Sequence, residues 1–282
     1  MKYCMIVVLL IILSPNPNVN GRKSKSSHHF VLVHGAAHGG WCWYKVATLL
    51  KSTGHNVTAI DLTASGINPI QVNQINGSVV DYNKPLMDFM GTHNINKVIL
   101  VGHSLGGLSI SLAMESFPHK ISAAVFVSAS MPGLNLTFLN IFQEFSRRSG
   151  SFLDSKFIFG NGPNNPATAL VFGPNYLATK MYQLSPPEDL VLAGSLMRAW
   201  PLFNNELVMK QVKLSKERYG SVDRVFIVCD QDLTADESFQ RWMIERNPPH
   251  QVKLINGTDH MVMISKPLNL FTHLLEIAET YY

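Results

Sequence analysis

Ser104 sits at the centre of Gly102-His103-Ser104-Leu105-Gly106, directly after the apolar run Val98-Ile99-Leu100-Val101 and ahead of a helix-forming stretch. A serine in that strand-turn-helix setting is placed to act as a nucleophile. The glycines omit β-carbons that a sharp turn has no room for, so the hydroxyl rises clear of the sheet beside the first amides of the next helix. The chemistry this predicts is acyl transfer through a covalent serine ester.

Such a serine needs a base and an acid to orient it, and the chain order in this topology is Ser, then Asp or Glu, then His. His260 follows the apolar segment Gln251 to Leu254 in the loop Ile255-Asn256-Gly257-Thr258-Asp259-His260. One strand earlier, Cys229-Asp230-Gln231-Asp232 supplies two carboxylates, of which Asp232 is preferred. Asp230 adjoins the strand and could simply end it. Asp259 adjoins the histidine and is poorly placed to face its ring, while Asp61 precedes the nucleophile, an order that argues for a structural role. A buried carboxylate on His260 Nδ1 would fix the tautomer and stabilise the imidazolium formed as Ser104 gives up its proton. The small-residue loop His34-Gly35-Ala36-Ala37-His38-Gly39-Gly40 follows the first core strand. It can aim a backbone amide at a carbonyl oxygen, so Ala36 N–H and Leu105 N–H are the expected oxyanion donors, each worth about 3 to 4 kcal/mol in the transition state.

These residues require a sheet to hold them. Strand-like runs fall at Phe30 to Val33, Val57 to Ile60, Val98 to Val101, Ala123 to Val127, Val225 to Val228 and Gln251 to Leu254. Most are nearly continuous apolar runs, as in a parallel sheet covered on both faces. Helical stretches alternate with them at Tyr44 to Ser52, Tyr82 to His93, Leu105 to Phe117, Ala235 to Arg246 and Pro267 to Tyr281. The pattern is α/β. Between about Met131 and Arg218 the alternation stops in a segment rich in Phe, Leu, Met, Pro and Gly. That length is excessive for a structureless loop, so a helical cap over the carboxyl ends of the strands is expected. The core then spans 29–130 and 219–282, and the cap 131–218.

The chain has 282 residues, 46% of them apolar and 15% charged, enough for one large core and too little charge for a disordered protein. A net charge of +4 without an extended basic run excludes nucleic acid as the expected partner. Lys2, the apolar run Met5 to Leu13, the breakers Pro15 and Pro17, and Val19-Asn20-Gly21 read as a secretory signal over 1–21, cleaved before Arg22. The run is too short to span a bilayer comfortably, so no stable membrane anchor is expected after cleavage, an uncleaved anchor being the lesser alternative. The expected location is the secretory pathway and then the extracellular space, with vacuole or endoplasmic reticulum as other destinations. Sequons at Asn56, Asn76, Asn135 and Asn256 are compatible with export. Cys4 would leave with the signal, and Cys42 and Cys229 cannot form a disulfide framework; Cys229 is expected to be a buried thiol.

His34-Gly35-Ala36-Ala37-His38-Gly39-Gly40-Trp41, Gly102-His103-Ser104-Leu105-Gly106-Gly107, Glu237-Ser238-Phe239-Gln240-Arg241-Trp242 and Asp259-His260-Met261 together resemble the plant methylesterase family of α/β-hydrolases. That group includes methyl salicylate, methyl jasmonate and methyl indole-acetate esterases, polyneuridine aldehyde esterase and hydroxynitrile lyases. The resemblance covers His29 to Tyr282. It implies Ser104 as nucleophile, Asp232 as orienting acid, His260 as base, Ala36 with Leu105 as oxyanion hole, and a homodimer as the usual assembly. Lyases of the group typically carry Thr at the position of Gly35 and Lys at that of Met261, so both positions favour an esterase. The amino-terminal extension departs from cytosolic members. Phe152 stands where salicylate-binding members tend to have Trp, which turns the expectation toward methyl jasmonate or methyl indole-acetate.

The expected reaction is hydrolysis of a small methyl ester to acid and methanol, with no cofactor and no metal. Phe152, Met181, Leu196 and Met261 are the substrate-contact candidates, within a wider set that includes Phe138, Phe142, Leu170 and Tyr182. Two rivals stand beside this reading: a hydroxynitrile lyase on the same scaffold, and a catalytically weak hormone-binding protein.

Overall fold

The computed structural model describes residues 27–92 and 95–282. The signal expected over 1–21 lies outside these residues. A six-stranded parallel sheet forms the centre, with β1 (His29–Val33), β2 (Asn56–Ile60), β3 (Val98–His103), β4 (Ile121–Val127), and two later strands, Arg224–Cys229 and Gln251–Ile255. Every residue of β3 and β4 is buried, because helices cover both faces. The alternation of a strand then sorts its side chains into two layers. Val31, Val33, Leu100, Phe126 and Phe226 join one core with α2 (Val79–Gly91) and α3 (Gly106–Ser116). Phe30, Leu32, Ile99, Val125 and Ile227 join the other with α1 (Tyr44–Ser52) and the carboxyl-terminal helix Pro267–Tyr281. Helix α2 begins three residues before the apolar pattern suggested, because Ser78 caps it by accepting from the Asp81 amide at 3.1 Å.

After β4 the chain leaves the sheet. The excursion contains α4 (Phe138–Arg148), β5 (Lys156–Ile158), β6 (Ala169–Val171), α5 (Pro174–Tyr176) continued by a π-helical turn at Leu177–Met181, α6 (Pro187–Leu196), β7 (Trp200–Pro201) and α7 (Asn205–Gln211). It is therefore not wholly helical. Strands β5, β6 and β7 form a small antiparallel sheet whose strands have three, three and two residues, too short to leave a period-two signature in sequence. The chain returns as β8 (Arg224–Cys229), α8 (Glu237–Arg246), β9 (Gln251–Ile255), α9 (Val262–Ser265) and α10 (Pro267–Tyr281). The sheet order is β2-β1-β3-β4-β8-β9.

Cap and core are tied by buried Asp189 of α6, which accepts from Tyr44 Oη at 2.7 Å and Lys45 Nζ at 2.6 Å on α1. Cys42 and Cys229 are both buried free thiols. Among the described residues no helix is long and apolar enough to cross a membrane.

Candidate active site

Ser104 stands between β3 and α3 with a φ of +53°, a left-handed conformation uncommon for a residue with a side chain. The turn is held by its own backbone. Ser104 N donates to the Val127 carbonyl at 3.3 Å, and Ser104 O accepts from Gly107 N at 3.1 Å and Ser130 N at 2.9 Å. The flanking glycines are obligatory, since a β-carbon on Gly106 would lie 2.6 Å from the His34 carbonyl oxygen and one on Gly107 2.1 Å from that of Ser130.

The structure brings three residues from distant loops into one hydrogen-bonded line. His260 Nε2 lies 3.0 Å from Ser104 Oγ, and His260 Nδ1 lies 2.6 Å from Asp232 Oδ2. A carboxylate accepts only, so Nδ1 carries a proton; in the base form of the ring Nε2 then offers its lone pair to the serine hydroxyl. Asp232 is 2% exposed and fully engaged: Oδ1 accepts from the amides of Thr234 and Ala235 at 2.7 and 2.8 Å, and Oδ2 also accepts from Ser128 Oγ at 2.6 Å. The other carboxylates do different work. Asp230 accepts from Gly257 N at 2.7 Å, Asp61 from Gly40 N at 2.7 Å, and Asp259 from Leu184 N and Ser185 Oγ of the cap.

Ala36 and Leu105 both line the cavity that holds Ser104 and His260. Leu105 is the residue before α3, so its amide is one that finds no acceptor within the helix. Around Ala36, two buried histidines hold consecutive carbonyls. His34 Nδ1 donates to Gly35 O at 2.7 Å while its Nε2 accepts from Leu62 N at 3.1 Å, and His38 Nδ1 donates to Ala36 O at 2.8 Å. Burial lowers both pKa values, to about 4 for His34 and about 3 for His38, so both rings are neutral near pH 7. Gly35 O and Ala36 N–H belong to one planar trans peptide and point opposite ways, so the His34 grip on the carbonyl aims the amide. A β-carbon on Gly35 would lie 2.8 Å from Ser104 Cβ, which excludes a threonine in this loop geometry.

The cavity has about 680 Å³ of space not filled by atoms, part of it open to solvent. Of the expected contacts, Phe138, Phe142, Phe152 and Met181 line it. Leu196 does not: it ends α6 on the surface, 40% exposed. Met261 does not either, being fully buried in the core layer shared with α1 and α10. Leu170 packs in the buried face of the cap sheet, and Tyr182 turns its hydroxyl to His38 Nε2 at 2.7 Å. Sequence reasoning missed Phe145, Phe172, Tyr176, Trp200, Phe239 and Met243, which complete the apolar wall. Phe152, Tyr176 and Phe172 form a stack, with centroids 5.6 and 5.1 Å apart. For the four missed residues that lie in the cap, its aromatic richness was the signal, though not which rings face inward; Phe239 and Met243 lie on α8 of the core. Ser128, set by a φ of +41° after β4, left no signal at all.

A serine hydroxyl paired to an imidazole, backed by a buried carboxylate and opening on an apolar cavity, can attack an acyl carbon and return the proton to a leaving alcohol. Residues 30–272 match the α/β hydrolase family. Methyl jasmonate esterase 1 from Vitis vinifera is 54% identical over 259 residues, covering 91% of this chain and 99% of that protein. Salicylic acid-binding protein 2 from Nicotiana tabacum is 46% identical, covering 91% and 99%. Tomato methylketone synthase I, crystallised with 2-tridecanone, superposes with a TM-score of 0.88 at 52% identity, covering 92% of this chain and all of that one. With the sheet, the serine turn and these similarities in agreement, the chain belongs to the plant methylesterases of the α/β-hydrolase family.

Proposed function

We propose that this protein is a carboxylesterase that hydrolyses the methyl ester of a small apolar acid, with Ser104 as nucleophile, His260 as general base and Asp232 as its orienting acid. The observation that carries the reading is the line from Asp232 Oδ2 to His260 Nδ1, 2.6 Å, and from His260 Nε2 to Ser104 Oγ, 3.0 Å, at the floor of an apolar cavity. Ser104 attacks the ester carbonyl as His260 takes its proton. The amides of Ala36 and Leu105 receive the oxyanion, His260 returns the proton to methanol, and water repeats the sequence on the acyl-enzyme.

The wall of phenylalanines, Trp200 and Met181 favours an uncharged, extended acyl group. Phe152 in that wall, and a 54% identical relative named methyl jasmonate esterase, favour methyl jasmonate or methyl indole-acetate over methyl salicylate. The lyase reading is the weaker one, because among the described residues no lysine lines the cavity to receive departing cyanide, and Gly35 has no room for a hydroxyl-bearing side chain. The 1–21 segment supports export of the enzyme to the extracellular space, checked by amino-terminal sequencing of the mature protein; a chain that starts at Met1 would refute cleavage.

The deciding experiment is methanol release from methyl jasmonate, methyl indole-acetate, methyl salicylate and an alkaloid methyl ester, with Ser104→Ala in parallel. Turnover that disappears in the variant supports the esterase and ranks the acyl groups. Failure of every ester, with cyanide released from mandelonitrile, would move the assignment to the lyase; failure of both would leave the binding protein.

A further inference from the structure

Four consecutive cap residues reach three of the loops around the catalytic centre, those of the oxyanion donor, the acid and the histidine. Tyr182 Oη lies 2.7 Å from His38 Nε2 in the oxyanion loop. Gln183 Nε2 donates at 2.7 Å to the carbonyl of Gln231, the neighbour of Asp232. The Leu184 amide and Ser185 Oγ donate at 3.0 and 2.7 Å to Oδ2 of Asp259, the neighbour of His260. We propose that this turn, residues 182–185, is a positioning element that sets the oxyanion, acid and histidine loops relative to one another for the reaction. The inference rests on the esterase reading above.

The sheet alone does not supply that relation. The oxyanion loop follows β1 and the histidine loop follows β9, with β3, β4 and β8 between them in the sheet. At roughly 4.8 Å per strand interval, the two strands are about 19 Å apart. The oxyanion and histidine loops converge across that distance, and residues 182–185 bond to both.

Each attachment is directional. His38 Nδ1 must donate, because the Ala36 carbonyl at 2.8 Å can only accept. The ring is neutral, its pKa lowered by burial to about 3, so Nε2 must accept and Tyr182 Oη must donate. The chain Tyr182 to His38 to Ala36 therefore has one polarity, and it ends on the residue whose amide is assigned to the oxyanion. Asp259 grips both sides of the histidine: Oδ2 takes the cap donors while Oδ1 accepts from the Met261 amide at 3.0 Å. Tyr182, His38 and Asp259 are 2%, 0% and 0% exposed, so water does not replace a bond that is lost. The turn itself is closed by Tyr182 N to Leu177 O, 2.9 Å, and Ser185 N to Tyr182 O, 3.0 Å. Met181, immediately before it, lines the cavity.

The alternative is that these bonds merely fasten the cap. Tyr44 provides the control, since its hydroxyl also bonds core to cap, at Asp189 Oδ1, 2.7 Å, without touching a catalytic loop. The experiment compares wild type, Tyr182→Phe, Asp259→Asn and Tyr44→Phe for kcat and KM on the best methyl ester and for Tm. A fluorophosphonate probe measures the rate of Ser104 labelling. The expected result is a fall in kcat and in labelling of about tenfold to a hundredfold for Tyr182→Phe and Asp259→Asn, with KM within about threefold, the scale of a small misplacement of reacting groups. Tyr44→Phe should keep kcat within about twofold at a comparable loss of Tm, as expected for a bond remote from the chemistry. Falls no larger than that of Tyr44→Phe would overturn the proposal. Should Tyr182→Phe or Asp259→Asn not fold, Gln183→Ala decides by the same criterion. A wild type inactive on every ester and unlabelled by the probe would instead sink the esterase reading.

Discussion

His103 Nε2 donates to the backbone carbonyl of His260 at 2.8 Å, with the two rings 4.6 Å apart. The residue before Ser104 thus holds the main chain of His260. Burial keeps His103 well below the ordinary histidine pKa, so its ring is neutral, and with the proton on Nε2 its buried Nδ1 has no hydrogen-bond partner among the described residues. His103→Leu removes the donor and leaves the His260 carbonyl unpaired. A stability loss of about 1 to 3 kcal/mol is expected by urea denaturation, accompanied by lower kcat. Unchanged stability and rate would show that the bond holds nothing.

Asp232→Asn tests the acid through its hydrogen-bond inventory. All the groups facing this carboxylate in the structure donate: the amides of Thr234 and Ala235, Ser128 Oγ and His260 Nδ1. A carboxamide must turn its NH2 toward one of these pairs. If it faces His260, Nδ1 becomes the acceptor and Nε2–H can no longer take the serine proton. A fall in kcat of about 10⁴ is expected, the size seen when a triad histidine is held in the wrong tautomer. A loss under tenfold in the ester assay would remove Asp232 from the mechanism.

Gly35→Ala tests the closeness of the proposed oxyanion loop to Ser104. The added β-carbon would approach Ser104 Cβ to 2.8 Å and His103 Nδ1 to 3.1 Å. Neither neighbour can yield, since Ser104 lies in a turn bonded on both sides and His103 is wholly buried. The loop must shift, and the Ala36 amide moves with it. Loss of one oxyanion donor costs about 10² to 10³ in kcat, and a matching slowing of fluorophosphonate labelling should accompany it. Full activity would mean that the loop relaxes freely.

The core and the serine turn were legible because they rest on strong local patterns. Continuous apolar runs announced β3 and β4, and a glycine-flanked serine between strand and helix has few other uses. Asp232 could be favoured over Asp230 and Asp259, and the structure shows why each differs: Asp230 ties two loops together, while Asp259 turns to the cap. The cap was less legible. Its strands β5, β6 and β7 pair through backbone over two or three residues each, and all three residues of β5 are exposed to some degree, so no side-chain period marks them. Leu196 and Met261 fall outside the cavity lining for a related reason. An apolar residue near a site can face the cavity, the core or solvent, and only the packing of its neighbours decides. Tyr182 and Ser128 act through partners 144 and 104 residues away, a relation that composition and spacing do not carry.

Phe152→Trp tests the shape of the acyl pocket. Phe152 packs against Tyr176 at 5.6 Å and edge-on against Phe157 at 5.9 Å, so an indole there fills cavity space rather than moving the stack. Specificity should shift toward short, flat aromatic acids. The ratio of kcat/KM for methyl salicylate to that for methyl jasmonate is expected to rise roughly tenfold, the order that one or two carbons of pocket space carry. An unchanged ratio would place the acyl group elsewhere in the cavity.

The neutral histidines of the oxyanion loop also predict how stability depends on pH. His34 and His38 have folded pKa values lowered to about 4 and about 3 by burial, against 6.5 in the unfolded chain. Below pH 6.5 the unfolded state binds protons that the folded state does not. The stabilisation is therefore complete above 6.5 and declines as pH falls toward the folded values. Near pH 5, each histidine takes up nearly one proton on unfolding, a slope of about 1.4 kcal/mol per pH unit per group. His34→Asn keeps a donor to the Gly35 carbonyl and removes the titration. Urea denaturation between about pH 5 and 6 should show its slope shallower than wild type by that single-group amount. Parallel slopes would mean that His34 is already protonated in the folded protein, and with it would fall the assignment of Nε2 as acceptor for Leu62.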